Sequence, residues 1–243
     1  MYQGISNHDA TKQPTSAYLF PSFEYVTVPP AAENESYRAS LDALIQNHIH
    51  ATSLRTSAAA QERDIILSQL DGSRPSCTAI TSSPVDELIV LICGHRSRDS
   101  RCGALAEPLR LEFEETLQRV SINTMHGERS NSCGNVEKSA RVGLLSHIGG
   151  HKWAGNVILY FPPTWKGHPL AGSGIWYGRV EPRHIQGIVL ETIARGRLIQ
   201  DLWRGGMILT HLRGRASWNR IPHAGENFPS GTVLSTVRDQ SKI

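Results

Sequence analysis

The 243-residue sequence predicts an α/β fold: a small mixed sheet with flanking helices, preceded by a smaller N-terminal α/β lobe. Three observations predict it. Residues 86–93 (Asp-Glu-Leu-Ile-Val-Leu-Ile-Cys) form a short continuous apolar run, as expected of a buried central strand. Residues 104–120 place Leu105, Leu109, Leu111, Phe113 and Leu117 at helical spacing. Short β-branched and aromatic runs then recur up to a last helix opened by Glu181-Pro182. A hydrophobic content of 39% suffices for a buried core. No stretch reaches the roughly 18 to 20 uninterrupted apolar residues that a bilayer-spanning helix needs.

Taken in order, residues 1–16 are polar and patternless and read as a flexible arm. The aromatic, β-branched run 18–28 ends at Pro29-Pro30 and reads as one edge-type strand. Leu41, Leu44, Ile45 and Ile49 predict a helix over 36–49, and Ile65, Ile66 and Leu70 a second over 58–70. The breaker Asp71-Gly72-Ser73-Arg74-Pro75 closes an N-terminal lobe at 17–75. The main domain then runs over 76–207. Its strand at 86–93 and helix at 104–120 are followed by a polar insertion at 123–138, with strands near 141–146, 156–161 and 175–180. The last helix starts at Glu181-Pro182 and stops at Gly196. This β-α-β-β-β-α order is close to a thioredoxin-like layer. Trp203 is placed on a helical face, and residues 208–243 are a C-terminal extension.

Charge is uneven. The net value is +3, yet residues 141–220 hold 11 Lys and Arg against three acidic residues, Glu181, Glu191 and Asp201. Such a basic region attracts nucleic acid, an anionic cofactor or an acidic partner, or is simply a solvated surface. Four cysteines (Cys77, Cys93, Cys102, Cys133) in a chain of this size fit a reducing compartment better than a disulfide framework.

Two segments carry metal-binding chemistry. Cys93 and Cys102 frame a C-x8-C loop between the first main-domain strand and its helix. His147 and His151 frame an H-x3-H loop after the next strand. Four ligands in two pairs close one metal site. Gly94 and Gly103 beside the cysteines, and Gly149 and Gly150 between the histidines, allow the backbone to approach a bulky inorganic centre. Arg96, Arg98 and Arg101 favour the thiolate form of Cys93. The spacing departs from that of zinc fingers, without excluding a structural Cys2His2 zinc site, and the ligand order departs from that of Rieske domains.

Cys-Gly-His-x-x-Arg-Asp-x-Arg-Cys-Gly, His-x-Gly-Gly-His-Lys-x-Ala-Gly-Asn and Gly-Ile-Trp-Tyr-Gly-Arg-Val-Glu-Pro, in that order over residues 85–207, resemble the sucrase/ferredoxin-like family. These are thioredoxin-like ferredoxins whose fungal members carry a bis-histidinyl 2Fe-2S cluster. The resemblance implies that Cys93, Cys102, His147 and His151 ligate such a cluster. It implies an electron carrier or redox sensor rather than an enzyme with its own substrate, with electron uptake coupled to proton uptake where the outer ring nitrogens meet solvent. The segments Phe20-Pro21-Ser22-Phe23 and Leu202-Trp203-Arg204-Gly205-Gly206-Met207 look like the mitochondria-associated branch of the family, implying the matrix or intermembrane space, with the cytosol as the alternative. The partner expected from the basic region is a redox protein such as a flavin reductase with an acidic face.

Three rival functions stand beside this one. A structural zinc module used for interactions needs the same four ligands but no clearance for a cluster. A thiol-disulfide oxidoreductase lacks its C-x-x-C, although Cys77 and Cys133 remain to pair through the tertiary fold. Nucleic-acid binding would use Trp165, Trp176 and Trp203 among the basic residues, where core packing is the commoner role of an indole.

Overall fold

The computed structural model describes residues 15–28, 42, 45, 80–127, 138–146, 148, 151–212, 215–221 and 236–237, with the backbone alone at 151 and from 208 onward. The chain divides into two compact units, Met1–Val85 and Asp86–Ile243. The predicted helices over 36–49 (apart from 42 and 45) and 58–70, the breaker at 71–75 and residues 1–14 of the arm lie outside the described residues.

In the first unit, β1 (Thr15–Leu19) and β2 (Glu24–Val28) form an antiparallel hairpin, and β3 (Thr81–Pro84) pairs with the other edge of β2. The single strand expected over 18–28 is therefore two strands. Pro21 cannot donate to a ladder and Ser22 is a turn former, so the chain reverses between Leu19 and Glu24, where the Ser22 hydroxyl donates to the Leu19 carbonyl at 3.2 Å. The aromatic residues that suggested one strand instead face each other across the turn, Tyr18 with Tyr25 at 4.9 Å and Phe20 with Phe23 at 5.1 Å between ring centres. Because Thr81–Pro84 pairs with β2, the units separate at Val85, against residue 75 in the sequence division.

The second unit is built on a seven-stranded mixed sheet. At its centre β4 (Leu88–Cys93) runs parallel to β6 (Ser139–Leu145) and antiparallel to β7 (Val157–Tyr160). Beyond β7 lie β8 (Gly174–Tyr177), β10 (Trp203–Leu212) and β11 (Arg215–Ile221), all antiparallel, while β5 (Asn123–Thr124) flanks β6. A separate pair joins β9 (Leu198–Ile199) to β12 (Thr236–Val237). Two helical segments complete the unit: α1 (Ser100–Arg119), and α2 (Pro182–Gly187) continued by a π-helical stretch, Ile188–Ala194.

The core explains the arrangement. Leu88, Val90 and Ile92 alternate along β4 and are fully buried with Leu109, Phe113 and Leu117 of α1 and Ile185, Ile188, Val189 and Ile193 of the second helical segment. Tyr177 at the end of β8 is also fully buried; its hydroxyl bonds Thr192 Oγ1 at 2.7 Å and accepts from the Ile199 N–H at 3.1 Å. Burial pushes its pKa up to about 12.

Two expectations need correction here. The helix expected to start at residue 104 starts at Ser100, because Asp99 in extended conformation caps it by accepting from the Arg101 N–H at 3.0 Å. Trp203 opens a strand and not a helical face, and that strand continues across residue 207 into the segment read as an extension. The apolar run Met207-Ile208-Leu209 belongs to a β-hairpin that widens the sheet.

Candidate metal centre

Cys93 is the last residue of β4, and Cys102 lies in the first turn of α1 rather than in a loop. Both are 1% exposed and neither is in a disulfide. The strand-to-helix connection between them is short and is held both to β6 and to itself. The Gly94 N–H donates to the Leu145 carbonyl at 2.9 Å, and the N–H groups of Arg98 and Asp99 both donate to the His95 carbonyl at 3.2 Å. This turn brings the two sulfurs within hydrogen-bond contact.

Burial pushes the Cys102 thiol above its ordinary range; the backbone N–H of Gly155 bonds to its sulfur and pulls the other way, while the Cys93 sulfur adds to the rise. Desolvation thus outweighs the Gly155 hydrogen bond. Gly155 is at φ +85, and a Cβ there would collide with the Val180 carbonyl, so the N–H that reaches Cys102 depends on glycine at this position.

The histidine loop runs from the end of β6 to β7. Its second half is a 3-10 turn, His151–Trp153, followed by Asn156, whose carbonyl accepts the Cys93 N–H at 3.0 Å. His147 lies outside the described residues, and for His151 only the backbone is described. Among the described residues no group of three or more His, Cys, Asp or Glu side chains is placed to hold a metal; the described half of the expected set is the Cys93 and Cys102 pair. Cys77 and Cys133 also lie outside the described residues.

Two expectations about the cysteine loop are revised. Gly103 opens no space for an inorganic centre, since a Cβ there would meet the Arg96 Cβ at 2.5 Å; the Arg96 stem already fills that place. Arg101 is turned to Asp99, donating from Nε to Oδ1 at 3.1 Å and from Nη2 to Oδ2 at 2.9 Å. Its charge still acts on Cys102, and a second arginine, Arg204 on β10, which the sequence reading did not assign to the centre, acts on Cys93. The signal was there in Trp203-Arg204-Gly205-Gly206, since glycines beside a strand residue mark bulges and close approaches.

The described groups that act on the thiols include donors and cations as well as the Asp99 carboxylate, which opposes ionisation of Cys102. The Gly155 N–H bonds the Cys102 sulfur and the charge of Arg204 acts on Cys93, while the fully buried Asn156, whose carbonyl accepts the Cys93 N–H, keeps an Nδ2 with no hydrogen-bond partner among the described residues. Trp153 lies on the Cα of Gly178, where a Cβ would meet its Cε3 at 2.9 Å. Its ring carries Lys152, Arg179 and Arg204 at 5.2, 4.9 and 5.6 Å from the ring centre. Paired thiols with one N–H bonded to a sulfur and arginine charge acting on both suit an anionic metal-thiolate group.

The profile of the sucrase/ferredoxin-like family matches residues 4–205. Among curated proteins, the chain is 45% identical over 126 residues to altered inheritance of mitochondria protein 32 of Clavispora lusitaniae, covering 51% of this chain and 36% of that protein. It is 42% identical over 120 residues to the protein of the same name from Meyerozyma guilliermondii, covering 49% and 34%. The Debaryomyces hansenii protein of that name is 39% identical over 117 residues, covering 48% and 35%. The matched part of the chain spans about a third of the length of these relatives. No solved structure matches.

Proposed function

This chain belongs to the sucrase/ferredoxin-like family, and on that premise we propose that it is a one-electron carrier or redox sensor holding a 2Fe-2S cluster on Cys93, Cys102, His147 and His151. The observation that carries the proposal is the meeting of Cys93 and Cys102, two buried thiols from different elements, with the Gly155 N–H on one sulfur and the Arg204 guanidinium acting on the other. The sheet supports it as well. In the order β8-β7-β4-β6, the parallel pair is joined through α1 and the antiparallel pair precedes α2, which we read as thioredoxin-like.

When bound, such a cluster supplies one reversible electron, at a potential raised by replacing two anionic thiolates with neutral imidazoles. The chain's own groups do the rest. Cys93 and Cys102 would ligate as thiolates, and the Gly155 N–H bonded to the Cys102 sulfur favours the anion against the larger opposing effect of burial. His147 and His151 would supply the remaining ligands, each with a second ring nitrogen to carry a proton. Lys152 and Arg179, both exposed beside Trp153, offer positive charge to an acidic redox partner. No helix among the described residues is long and apolar enough to cross a membrane. The names of the relatives support a mitochondrial location.

The test is metal and sulfide analysis, with visible spectra, of anaerobically purified protein. The proposal expects about two irons and two sulfides per chain. A colourless protein with one zinc, which still takes up no iron after anaerobic reconstitution, would make this a structural zinc module instead.

A further inference from the structure

Arg204 is the extra residue of a β-bulge. Along β10, Gly205 and Gly206 pair with Trp176 and Ile175 of β8, but Trp203 pairs with Tyr177, so two steps of β10 answer one step of β8. Bulges re-aim a side chain. Here the half-buried guanidinium reaches several parts of the centre at once. Its Nη1 donates to the Ile148 carbonyl at 3.2 Å and to Asn156 Oδ1. Its Cζ stands 5.6 Å from the centre of the Trp153 ring. Burial lowers its pKa from the ordinary arginine range, and the charge of Cys93 offsets part of that.

These contacts join segments distant in sequence. Ile148 lies between His147 and His151, and Asn156 receives the Cys93 N–H on its carbonyl. We propose that Arg204 is a positioning residue of the centre, fixing the Ile148 carbonyl of the histidine loop to the Asn156 side chain behind Cys93 and supplying a fixed positive charge beside the thiolates. The inference rests on the cluster reading above. Two ferric ions, two sulfides, two thiolates and two neutral imidazoles sum to zero charge, and one added electron makes the sum −1. A fixed cation at Arg204 therefore favours the reduced form.

The experiment uses the full chain as wild type, Arg204→Gln and Arg204→Lys, read by midpoint potential of the loaded protein and by amide exchange at 152–156 in the cluster-free protein. The Gln variant is expected to shift the potential negative by about 59 mV, a tenfold change in a one-electron equilibrium, and to exchange faster at 152–156. The Lys variant is expected to keep the wild-type potential and also to exchange faster, because an ammonium lacks the planar fork. A Gln variant with the wild-type potential, or with wild-type exchange, overturns the inference. Should the Gln variant fail to fold, wild-type exchange in the Lys variant overturns it. Wild-type protein that takes up no iron overturns the cluster reading and this inference together. That result is distinct from loaded protein whose potential does not move, which overturns the inference alone.

Discussion

Cys93 and Cys102 are held by regular structure, the end of β4 and the first turn of α1, whereas Arg204 reaches the same place from a bulge in β10. The thiols are 1% exposed and move only if the core moves, because β4 and α1 share the fully buried residues Leu88, Val90, Ile92, Leu109 and Phe113. Arg204 depends on a local register shift and on hydrogen bonds to Ile148 and Asn156. The difference divides labour at the centre. The regular side fixes where the sulfurs stand, and the irregular side adjusts charge and loop position without disturbing the core.

Four substitutions sharpen or break that division, from the largest effect down. Cys93→Ser removes a ligand, so bound iron should fall from about two per chain to almost none, with far-UV circular dichroism unchanged; retained iron would remove Cys93 from the centre. Phe113→Ala empties a fully buried site in the core that β4 and α1 share and should cost about 3–5 kcal/mol in denaturant titrations. A loss below about 1 kcal/mol would mean that α1 is not anchored by this core.

Tyr177 gives a pH-dependent probe of the same frame. Its folded pKa of about 12 lies above the unfolded value near 10, so the folded state binds the proton more tightly. The stability it contributes is full below pH ~10 and is lost as pH rises towards 12, by roughly 2–3 kcal/mol. Tyr177→Phe should flatten that alkaline loss relative to wild type, and parallel stability curves for the two proteins above pH ~10 would contradict it. Asp99→Ala should have the smallest effect, about 1 kcal/mol from the lost helix cap. It should also alter the visible spectrum, since Cys102 sits within the turn that Asp99 starts; an unaltered spectrum would show that the turn holds without its cap.

The same contrast explains what could be read from the sequence. The β4 strand was legible because it is a bounded apolar run, and α1 because its leucines repeat at helical spacing. The start of α1 was not, since Gly103 is a poor helix former and the Cys102-Gly103 pair reads as a turn. What admits the glycine is tertiary, the Arg96 stem that occupies the place of its side chain. The hairpin of β1 and β2 was missed because the aromatic run is continuous through Pro21. That Arg204 serves the thiols was equally hidden. Arg96, Arg98 and Arg101 are neighbours in sequence, and Arg101 acts on Cys102 although Asp99 binds it, but the Arg204 that acts on Cys93 comes from a strand about a hundred residues further on. A bulge is a property of strand pairing, and its only trace along the chain is the glycine pair after Arg204.

The central claim is that one cluster is held by Cys93, Cys102, His147 and His151, and nitrogen hyperfine coupling tests it most directly. Protein labelled with 15N only in histidine would be reduced with dithionite and measured by pulsed EPR, beside His147→Cys and His151→Cys. The account predicts two strongly coupled histidine nitrogens, with one lost in each variant. A reduced iron-sulfur signal with no coupled histidine nitrogen, or with coupling that survives both substitutions, would contradict it.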